Sequence, residues 1–422
     1  MKKHIFAIWV IITFLMACEE TEREKIPWES PALTEYQVTP INGGATITYT
    51  IPNDQNILYI MAEYERNGKM YTEKSSVYKN KLTIEGFNTQ ESVNATLYKV
   101  NREEQKSQPL VVSFVPLESP ISLTKKSLKI LTGFGGIITS WENPVSAELG
   151  VRLMVEKEGK LVTSTMYFSA LPQEKHAFRG FKDTLTTFAI SFEDKWGNIS
   201  DTSYFTTTPF FETEITKPYG DTRATIPYDN ITDYSATYNF VKTTDGIVGA
   251  LNGFLTASGN DGLSVSWDLK QVVKLSRMTL WPRASSAGQV YTQVNVLAFE
   301  LWGSKKLDPA KLPPADKSYW LHEWSVRNGA FKNVPKDYVL PERTFEDDWI
   351  FLGEFHVERL VDNNAITAII TQGNQFDLPI EAEPVRYIRF FCREANAITP
   401  PVNNYFAIGE VSFFGDNTVP QQ

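Results

Sequence analysis

Two segments in the first half of the chain repeat each other at an offset of about 91 to 94 residues. Residues 42–69 read NGGATITYTIPNDQNILYIMAEYERNGK, and residues 134–160 read FGGIITSWENPVSAELGVRLMVEKEGK. Each has a glycine pair, a short alternating run, a proline-containing breaker, a longer run and a GK turn. The register continues, since IEGF at Gly86 matches FRGF at Gly180. A period near 90 residues is too long for a solenoid and equals one sandwich domain, so two copies of one domain are predicted.

Within each copy, short runs alternate apolar and polar residues between turn residues. In the first copy these runs are ATITYTI, LYIMAEY, LTIEGF and NATLYKV. Such alternation is typical of antiparallel strands with one buried face. We therefore predict an all-β chain that begins with two tandem immunoglobulin- or fibronectin-like sandwiches, at residues 30–118 and 119–212. Neither copy contains a catalytic constellation, so both are interpreted as spacers.

From residue 213 the pattern changes. Residues 213–225 are a polar, proline-containing connector, and residues 226–416 fit one larger domain. Its apolar runs are short and rich in β-branched and aromatic residues: LSVSWDL, KLSRMTLWPR, VNVLAFELWGS, WIFLGEFHV, VRYIRFFCREA and AIGEVSFFGD. Turn residues separate these runs, which predicts an all-β sandwich or jelly roll.

Several of these runs resemble the strands of a discoidin domain, also called the coagulation-factor type C domain. SVSWDLKQVVKLSRMTLWPR resembles a strand pair of that family, and PVRYIRFFCREA with YFAIGEVSFFGD resembles its final pair. The resemblance covers roughly residues 226–416. It implies a discoidin-like, galactose-binding-type jelly-roll β-sandwich that binds glycans in loops at one end.

The resemblance places these binding loops at residues 281–293 and 393–407. Sugars bind by stacking an apolar ring face on an aromatic side chain while polar groups contact the hydroxyls. Arginine suits the second task because its donors form a fixed fork. The predicted glycan-binding residues are Trp281, Arg283, Tyr291, Asn403, Asn404 and Tyr405. For each aromatic residue, a role in the core or at the rim of the sandwich is the alternative.

Residues 305–345 are a long insertion between two strands that the family usually joins by a short turn. It contains SYWLHEWSVRNGAF, in which a strand would place Trp320, His322 and Trp324 on one face. Such an aromatic ladder predicts a secondary glycan-binding surface at these three residues. The strand order suggests that the insertion leaves the opposite end of the sandwich, so a local core packed against the sheets is the alternative.

The N-terminal residues resemble a bacterial lipoprotein signal. Lys2 and Lys3 precede an apolar run at residues 5–14, which is shorter than a membrane-spanning helix. The sequence LMAC then ends at Cys18 and resembles a lipobox, which implies cleavage before Cys18 and acylation of its thiol. Residues 1–18 are therefore interpreted as a signal peptide with its lipidated cysteine, followed by an acidic linker at residues 19–29. An ordinary secretory signal with an incidental cysteine is the alternative.

The whole arrangement resembles a group of Bacteroidetes surface lipoproteins encoded in polysaccharide-utilisation loci. The run EETE after Cys18 resembles the signal that sends such proteins to the outer cell surface. The resemblance implies a lipid-anchored outer-membrane protein that faces the cell exterior, binds a polysaccharide or oligosaccharide and works beside SusC- and SusD-like transporter proteins. With Cys18 acylated, Cys392 has no partner for an intramolecular disulfide, which predicts a buried thiol.

The net charge and the pattern of metal-ligating residues bear on two further ligand classes, nucleic acid and calcium. A formal net charge of −9 argues against nucleic acid, which needs a concentrated basic face. Many carbohydrate-binding discoidin domains hold a structural calcium ion through a loop residue and a late glutamate. Glu410 matches that glutamate, but Asn252 supplies only a neutral oxygen. No cofactor is therefore predicted, and the question of a calcium site stays open.

A non-catalytic binding protein is the function that these features favour. The sequence contains no G-x-S-x-G or H-E-x-x-H motif, and three small sandwiches leave no room for a barrel-type catalytic domain. Two alternatives remain. One is a protein-binding adhesin or scaffold partner of an outer-membrane transporter. The other is a glycoside hydrolase, whose two carboxyl groups need not lie in a short motif.

Overall fold

The computed structural model describes residues 28–229, 232–257, 261–292, 294–395 and 405–421. Within these ranges most elements are β-strands arranged in several sandwich sheets, and the helices are short, which confirms the predicted all-β fold. The chain divides into two compact units. Of the described residues, one unit contains those between 28 and 129 together with 139–176 and 187–205, and the other contains 130–138, 177–186 and those between 206 and 421.

The first sandwich is built from two antiparallel sheets. Its strands are β1 (Tyr36–Ile41), β2 (Gly44–Tyr49), β3 (Ile57–Arg66), β4 (Lys69–Ser76), β5 (Lys81–Glu85), β6 (Val93–Asn101) and β7 (Leu110–Phe114). One sheet has the order β1-β2-β5 and the other the order β4-β3-β6-β7. Alternate residues of both sheets enter one core, in which Ile47, Ala62 and Leu97 are completely buried.

The second sandwich repeats this strand order. Its strands are β8 (Lys129–Gly133), β9 (Gly136–Glu142), β10 (Leu149–Lys157), β11 (Lys160–Ser169), β12 (Gln173–Phe178), β13 (Thr186–Asp194) and β14 (Ser203–Thr207). They form sheets of order β12-β9-β8 and β11-β10-β13-β14. Each strand begins 91 to 93 residues after its counterpart in the first copy, so the sequence repeat is a repeat of the fold. Trp141 of β9 packs edge-on against Phe192 of β13, with ring centroids 5.7 Å apart.

The turn that follows β13 contacts the first sandwich. Trp196, in the sequence DKWGN, packs on Gly86, where a Cβ atom would lie 2.7 Å from the indole and where φ is +95°. Asn198 Nδ2 donates a hydrogen bond to the Gly86 carbonyl over 2.9 Å. A glycine is required at this position because any side chain would displace the indole.

The C-terminal region is a sandwich whose two layers share one long strand. Its strands are β15 (Thr213–Glu214), β16 (Gly220–Asp221), β17 (Phe254–Leu255), β18 (Ser264–Trp281), β19 (Val296–Ser304), β20 (Ile350–His356), β21 (Asn374–Asp377), β22 (Val385–Ala395), β23 (Ala407–Ile408) and β24 (Glu410–Asp416). The main order is β15-β24-β18-β22-β19-β20, and β17 pairs with β23.

Strand β18 passes from one layer to the other. Its first half, around Trp267, pairs with β16 and β22, and its second half, around Met278, pairs with β24 and β21. The register shifts between the halves, where Lys270 has a φ of 64°. Irregularities of this kind let a strand turn the corner of a sandwich. The Trp267 ring then lies between Phe390 of β22 and Phe413 of β24, at centroid distances of 6.0 and 5.8 Å.

The helices are short and lie in the connections between strands. They are the α-helices Pro120–Ser127, Ala287–Val290, Glu323–Arg327, Phe345–Asp348 and Asn363–Gln372, and the 3₁₀ helices Phe240–Thr243, Pro309–Lys311 and Lys317–Trp320. Among the described residues, no helix has the length and apolar character needed to cross a bilayer. The predicted burial of Cys392 is observed, and burial raises the pKa of its thiol.

Candidate functional site

The two predicted binding loops meet at the end of the C-terminal sandwich that carries β17 and β23. The Ala407 amide donates a hydrogen bond to the Val294 carbonyl over 2.9 Å, and the Gly409 amide donates to the Trp281 carbonyl over 2.8 Å. The loop that follows β18 and the segment that enters β23 therefore lie side by side at this end, which we call the loop end.

A third segment that the sequence interpretation missed also reaches the loop end. The Leu255 amide of β17 donates to the Tyr238 carbonyl over 3.1 Å, and the Tyr234 amide donates to the Leu255 carbonyl over 2.9 Å. The rings of Tyr234 and Tyr238 lie 6.2 Å apart, and 61% of Tyr234 is exposed. The repeated tyrosines of YDNITDYSATY were the only sequence signal for this contribution.

Arg283 lies at the loop end and is only 7% exposed. Its guanidinium carbon lies 4.6 Å above the centroid of the Tyr238 ring. Its Nε atom is buried and has no hydrogen-bond partner among the described residues. Burying a charged donor without an acceptor is unfavourable, and this Nε is such an unsatisfied donor.

Asn295 shapes the loop that carries Arg283. Its side chain is almost completely buried, and its Oδ1 accepts a hydrogen bond from the Arg283 amide over 2.7 Å. Its Nδ2 lies within hydrogen-bond distance of four carbonyls, those of Arg283, Gln289, Val290 and Thr292. Asn295 is therefore a positioning residue that no motif in the sequence indicated.

Trp281 and Tyr291 are half-buried, and packing uses part of each side chain. Trp281 Nε1 donates to the Thr371 carbonyl over 3.0 Å, and its indole covers Gly373. The Tyr291 hydroxyl donates to the Glu358 carbonyl and accepts from the Leu360 amide, both over 2.9 Å. The polar atoms of both rings are thus already hydrogen-bonded within the protein. Both side chains are only partly exposed, so a ligand could contact only part of each ring.

Three of the predicted residues lie outside the described part of the chain. They are the lipidation residue Cys18 and the loop residues Asn403 and Asn404. Tyr405, the next residue along the second loop, is described and is half-buried.

The aromatic residues of the insertion lie in a local core, as the alternative interpretation held. Trp320 and His322 are 1% and 2% exposed, so neither offers a ring face to a sugar. The His322 ring nitrogens lie 3.0 Å from Ser325 Oγ and 3.0 Å from a Glu300 carboxylate oxygen. Trp324 is half-buried, with the Arg393 guanidinium 4.8 Å above its ring. These contacts are structural, and they correct the expectation of an aromatic ladder.

The same core surrounds Arg389, the second arginine of the RYIR sequence at residues 386–389. Arg389 is completely buried and pairs with Asp229, which is also completely buried, over 3.1 Å. Its guanidinium also lies 4.5 Å from the centroid of Phe345 and 5.2 Å from that of Trp320. Arg389 of β22 therefore contacts both the segment at Asp229, through the ion pair, and the insertion, through the two rings.

Glu410, the late glutamate of the discoidin comparison, lies beside a lysine of the same chain. Its carboxylate forms an ion pair with the Lys217 ammonium, which also donates to Ser412 Oγ over 3.0 Å. Among the described residues, no group of three or more metal-ligating side chains is present. The ammonium of Lys217 therefore lies beside one oxygen of this carboxylate, and the other oxygen is buried without a hydrogen-bond partner among the described residues.

Models of three domain families match the chain. "Domain of unknown function (DUF4959)" matches residues 30–116, "Domain of unknown function (DUF5126)" matches residues 117–218, and a third domain of unknown function, DUF5000, matches residues 243–415. No curated protein matches the chain.

Solved structures give remote similarities. One is a SusE-like protein, BT2857, at 17% identity, covering 69% of this chain and 97% of that one with a TM-score of 0.36. A family 89 glycoside hydrolase from Clostridium perfringens is 13% identical and covers 50% of this chain and 16% of that one, with a TM-score of 0.27. Two fibronectin type III domains of chicken tenascin are 12% identical, covering 42% and 99% with a TM-score of 0.20. TM-scores this low carry no functional conclusion.

Proposed function

We propose that the protein is a non-catalytic, lipid-anchored surface protein that binds a glycan at the loop end of its C-terminal sandwich. The observation that carries the proposal is Arg283, which is buried, aligned on Tyr238 and without an acceptor for its Nε among the described residues. A sugar hydroxyl or carboxylate that reaches the guanidinium adds an acceptor at this end of the sandwich, and guanidinium geometry suits two adjacent oxygens.

Aromatic rings beside Arg283 complete the site. Tyr238 lies under the guanidinium, and the exposed Tyr234 lies next to it. Stacking of an apolar sugar face on such a ring, with a fixed hydrogen-bond donor beside it, is the usual chemistry of saccharide recognition. Trp281, Tyr291 and Tyr405 form the surrounding rim in this proposal, and Asn403 and Asn404 supply further hydrogen bonds.

The cellular context follows from the N-terminal residues. Acylated Cys18 anchors the protein in the outer membrane, with its domains toward the cell exterior, and the captured glycan passes to SusC- and SusD-like transporter proteins. In this role the protein concentrates polysaccharide and leaves cleavage to other proteins.

Affinity electrophoresis of the full chain in gels containing single polysaccharides tests the proposal. Retardation by at least one polysaccharide is expected, and Arg283→Met and Tyr234→Ala each weaken it. Tyr78→Ala is the matched control, since Tyr78 is a tyrosine of the first sandwich that is 93% exposed. Reducing ends released during incubation indicate a hydrolase, and retardation unaffected by Arg283→Met refutes binding at the loop end.

A further inference from the structure

We infer that the second sandwich carries a separate binding groove for a neutral saccharide, on the outer face of strands β10, β11 and β13. A groove of about 630 Å³ opens there. This volume lies in the range of small-molecule sites in proteins. Its walls include Phe168 and Met166 of β11, Arg152 of β10 and Glu193 of β13, and its floor includes Gly150.

A glycine in the central strand creates the groove. Gly150 pairs with Phe168 on one side and with Glu193 on the other, so these three residues form one row across the sheet. A Cβ atom on Gly150 would lie 3.1 Å from both Met166 Cε and Phe168 Cε1. The missing side chain therefore lets an aromatic ring lie beside a polar wall, and 72% of Phe168 is exposed.

An unpaired donor lies in the polar wall. The Arg152 guanidinium forms an ion pair with Glu193, but its Nε is buried and has no hydrogen-bond partner among the described residues. The side chains of Arg152 and Glu193 are each 28% exposed, so a ligand hydroxyl can form hydrogen bonds with this pair while its ring stacks on Phe168. The pairing of an apolar ring face with oriented donors is the chemistry that recognises a sugar.

The charges that line the groove indicate a neutral ligand. Arg152 and Glu193 neutralise each other, and the Asp194 carboxylate accepts hydrogen bonds from the amides of Trp196 and Asn198 in its own turn. One lysine and one further glutamate remain, so no net positive charge is left to attract an acidic sugar. This balance commits the groove to uncharged hexose or pentose units.

The test isolates this groove from the proposed C-terminal site. The full chain carrying Arg283→Met, which removes the loop-end arginine, is run in gels containing galactomannan, xyloglucan, arabinoxylan or polygalacturonate. We expect at least one neutral polysaccharide to retard it, and added Phe168→Ala to lower the apparent affinity about fivefold or more. Gly150→Val places a side chain in the groove and should also lower the apparent affinity.

Val162→Ala is the matched control, because Val162 is an exposed residue of β11 outside the groove. Melting curves of each variant show whether the fold is intact, and only variants that melt like the parent are compared. The inference is overturned if the Arg283→Met chain shows no retardation in any neutral gel, if Phe168→Ala changes nothing, or if only polygalacturonate retards the chain. It is also overturned if light scattering shows self-association that Phe168→Ala abolishes, since the groove face would then contact a second copy.

If Arg283→Met and Phe168→Ala each remove part of the retardation, both sites bind. If only Phe168→Ala acts, the groove binds and the loop-end proposal fails, so the two failures are distinguishable.

Discussion

Arg283 combines features that stability alone does not favour. A buried arginine usually meets a carboxylate or several carbonyls, as Arg389 does with Asp229. The Arg283 guanidinium instead rests on an aromatic ring, and its Nε lacks an acceptor among the described residues.

The first prediction separates stability from binding at this residue. Replacing a buried arginine whose Nε has no acceptor among the described residues by an apolar side chain of similar length is neutral or stabilising. We expect Arg283→Met to leave the free energy of unfolding unchanged or to raise it by about 1–3 kcal/mol, while retardation by glycan is weakened. Urea titrations followed by tryptophan fluorescence measure the first quantity. A loss of more than about 2 kcal/mol indicates a structural role for Arg283.

The second prediction concerns Glu410 and pH. Burial raises the pKa of Glu410 from 4.5 to about 7, although the Lys217 ammonium beside it lowers this pKa. At pH values between 4.5 and about 7, Glu410 binds a proton in the folded protein but not in the unfolded chain. The resulting stabilisation is complete below pH 4.5 and is lost as the pH rises through 7.

Glu410→Gln removes this titration. We expect the free energy of unfolding of the parent chain, relative to the variant, to increase by about 2–3 kcal/mol when the pH is lowered from about 8 to about 5. Urea titrations at both pH values give this difference, and effects common to all other groups cancel. A difference that increases toward high pH shows that the ion pair with Lys217 dominates.

Among the elements, the loop at residues 283–292 depends on one side chain. Asn295 Oδ1 accepts from the Arg283 amide, and its Nδ2 is shared among carbonyls at both ends of the loop. The third prediction is that Asn295→Ala destabilises this loop by about 2–4 kcal/mol, since buried groups lose their partners. Hydrogen exchange followed by mass spectrometry reports the result as faster exchange of residues 283–292.

Asn295→Asp is the informative companion variant. It keeps the acceptor for the Arg283 amide but places a buried carboxylate oxygen against the carbonyls, so we expect the loop to be protected no better than in Asn295→Ala. Unchanged exchange in both variants would show that the neighbouring strands alone fix the loop.

Strands with one buried face were predictable because burial leaves a period of two in the sequence. β2 and β10 show this pattern, and their shared register predicted a repeated domain. The path of β18 could not be predicted in this way. Buried residues recur on both sides of Lys270, and the change of layer depends on a register shift that leaves no periodic signal.

The candidate site was predictable only in part. Its two loops were located by resemblance, and their described portions do meet at the loop end. Tyr234 and Tyr238 were missed because they precede β18 and lie in an irregular segment. The insertion misled the prediction because the spacing of Trp320 and His322 fits an exposed ladder and a buried core equally well, and only burial decides between them.

At the scale of the whole molecule, the described part of the three sandwiches contains no disulfide and depends on hydrophobic cores for its stability. Cys392 is completely buried in β22, and Cys18 lies outside the described residues. The two cysteines therefore have different predicted roles, one as a packed core residue and the other as the point of attachment to a membrane. This difference makes the anchor testable by a matched pair of variants.

The fourth prediction is that Cys18 alone holds the protein on the outer membrane. Each buried methylene of an acyl chain contributes about 0.8 kcal/mol, so several chains hold the domains on the bilayer. We expect the parent chain in the membrane fraction of its own cells, released only by detergent and cut by protease added to intact cells. Cys18→Ser should move to the soluble fraction or the medium, whereas Cys392→Ser should stay on the membrane. A Cys18→Ser chain that still sediments with membranes would show that another part of the protein provides the attachment.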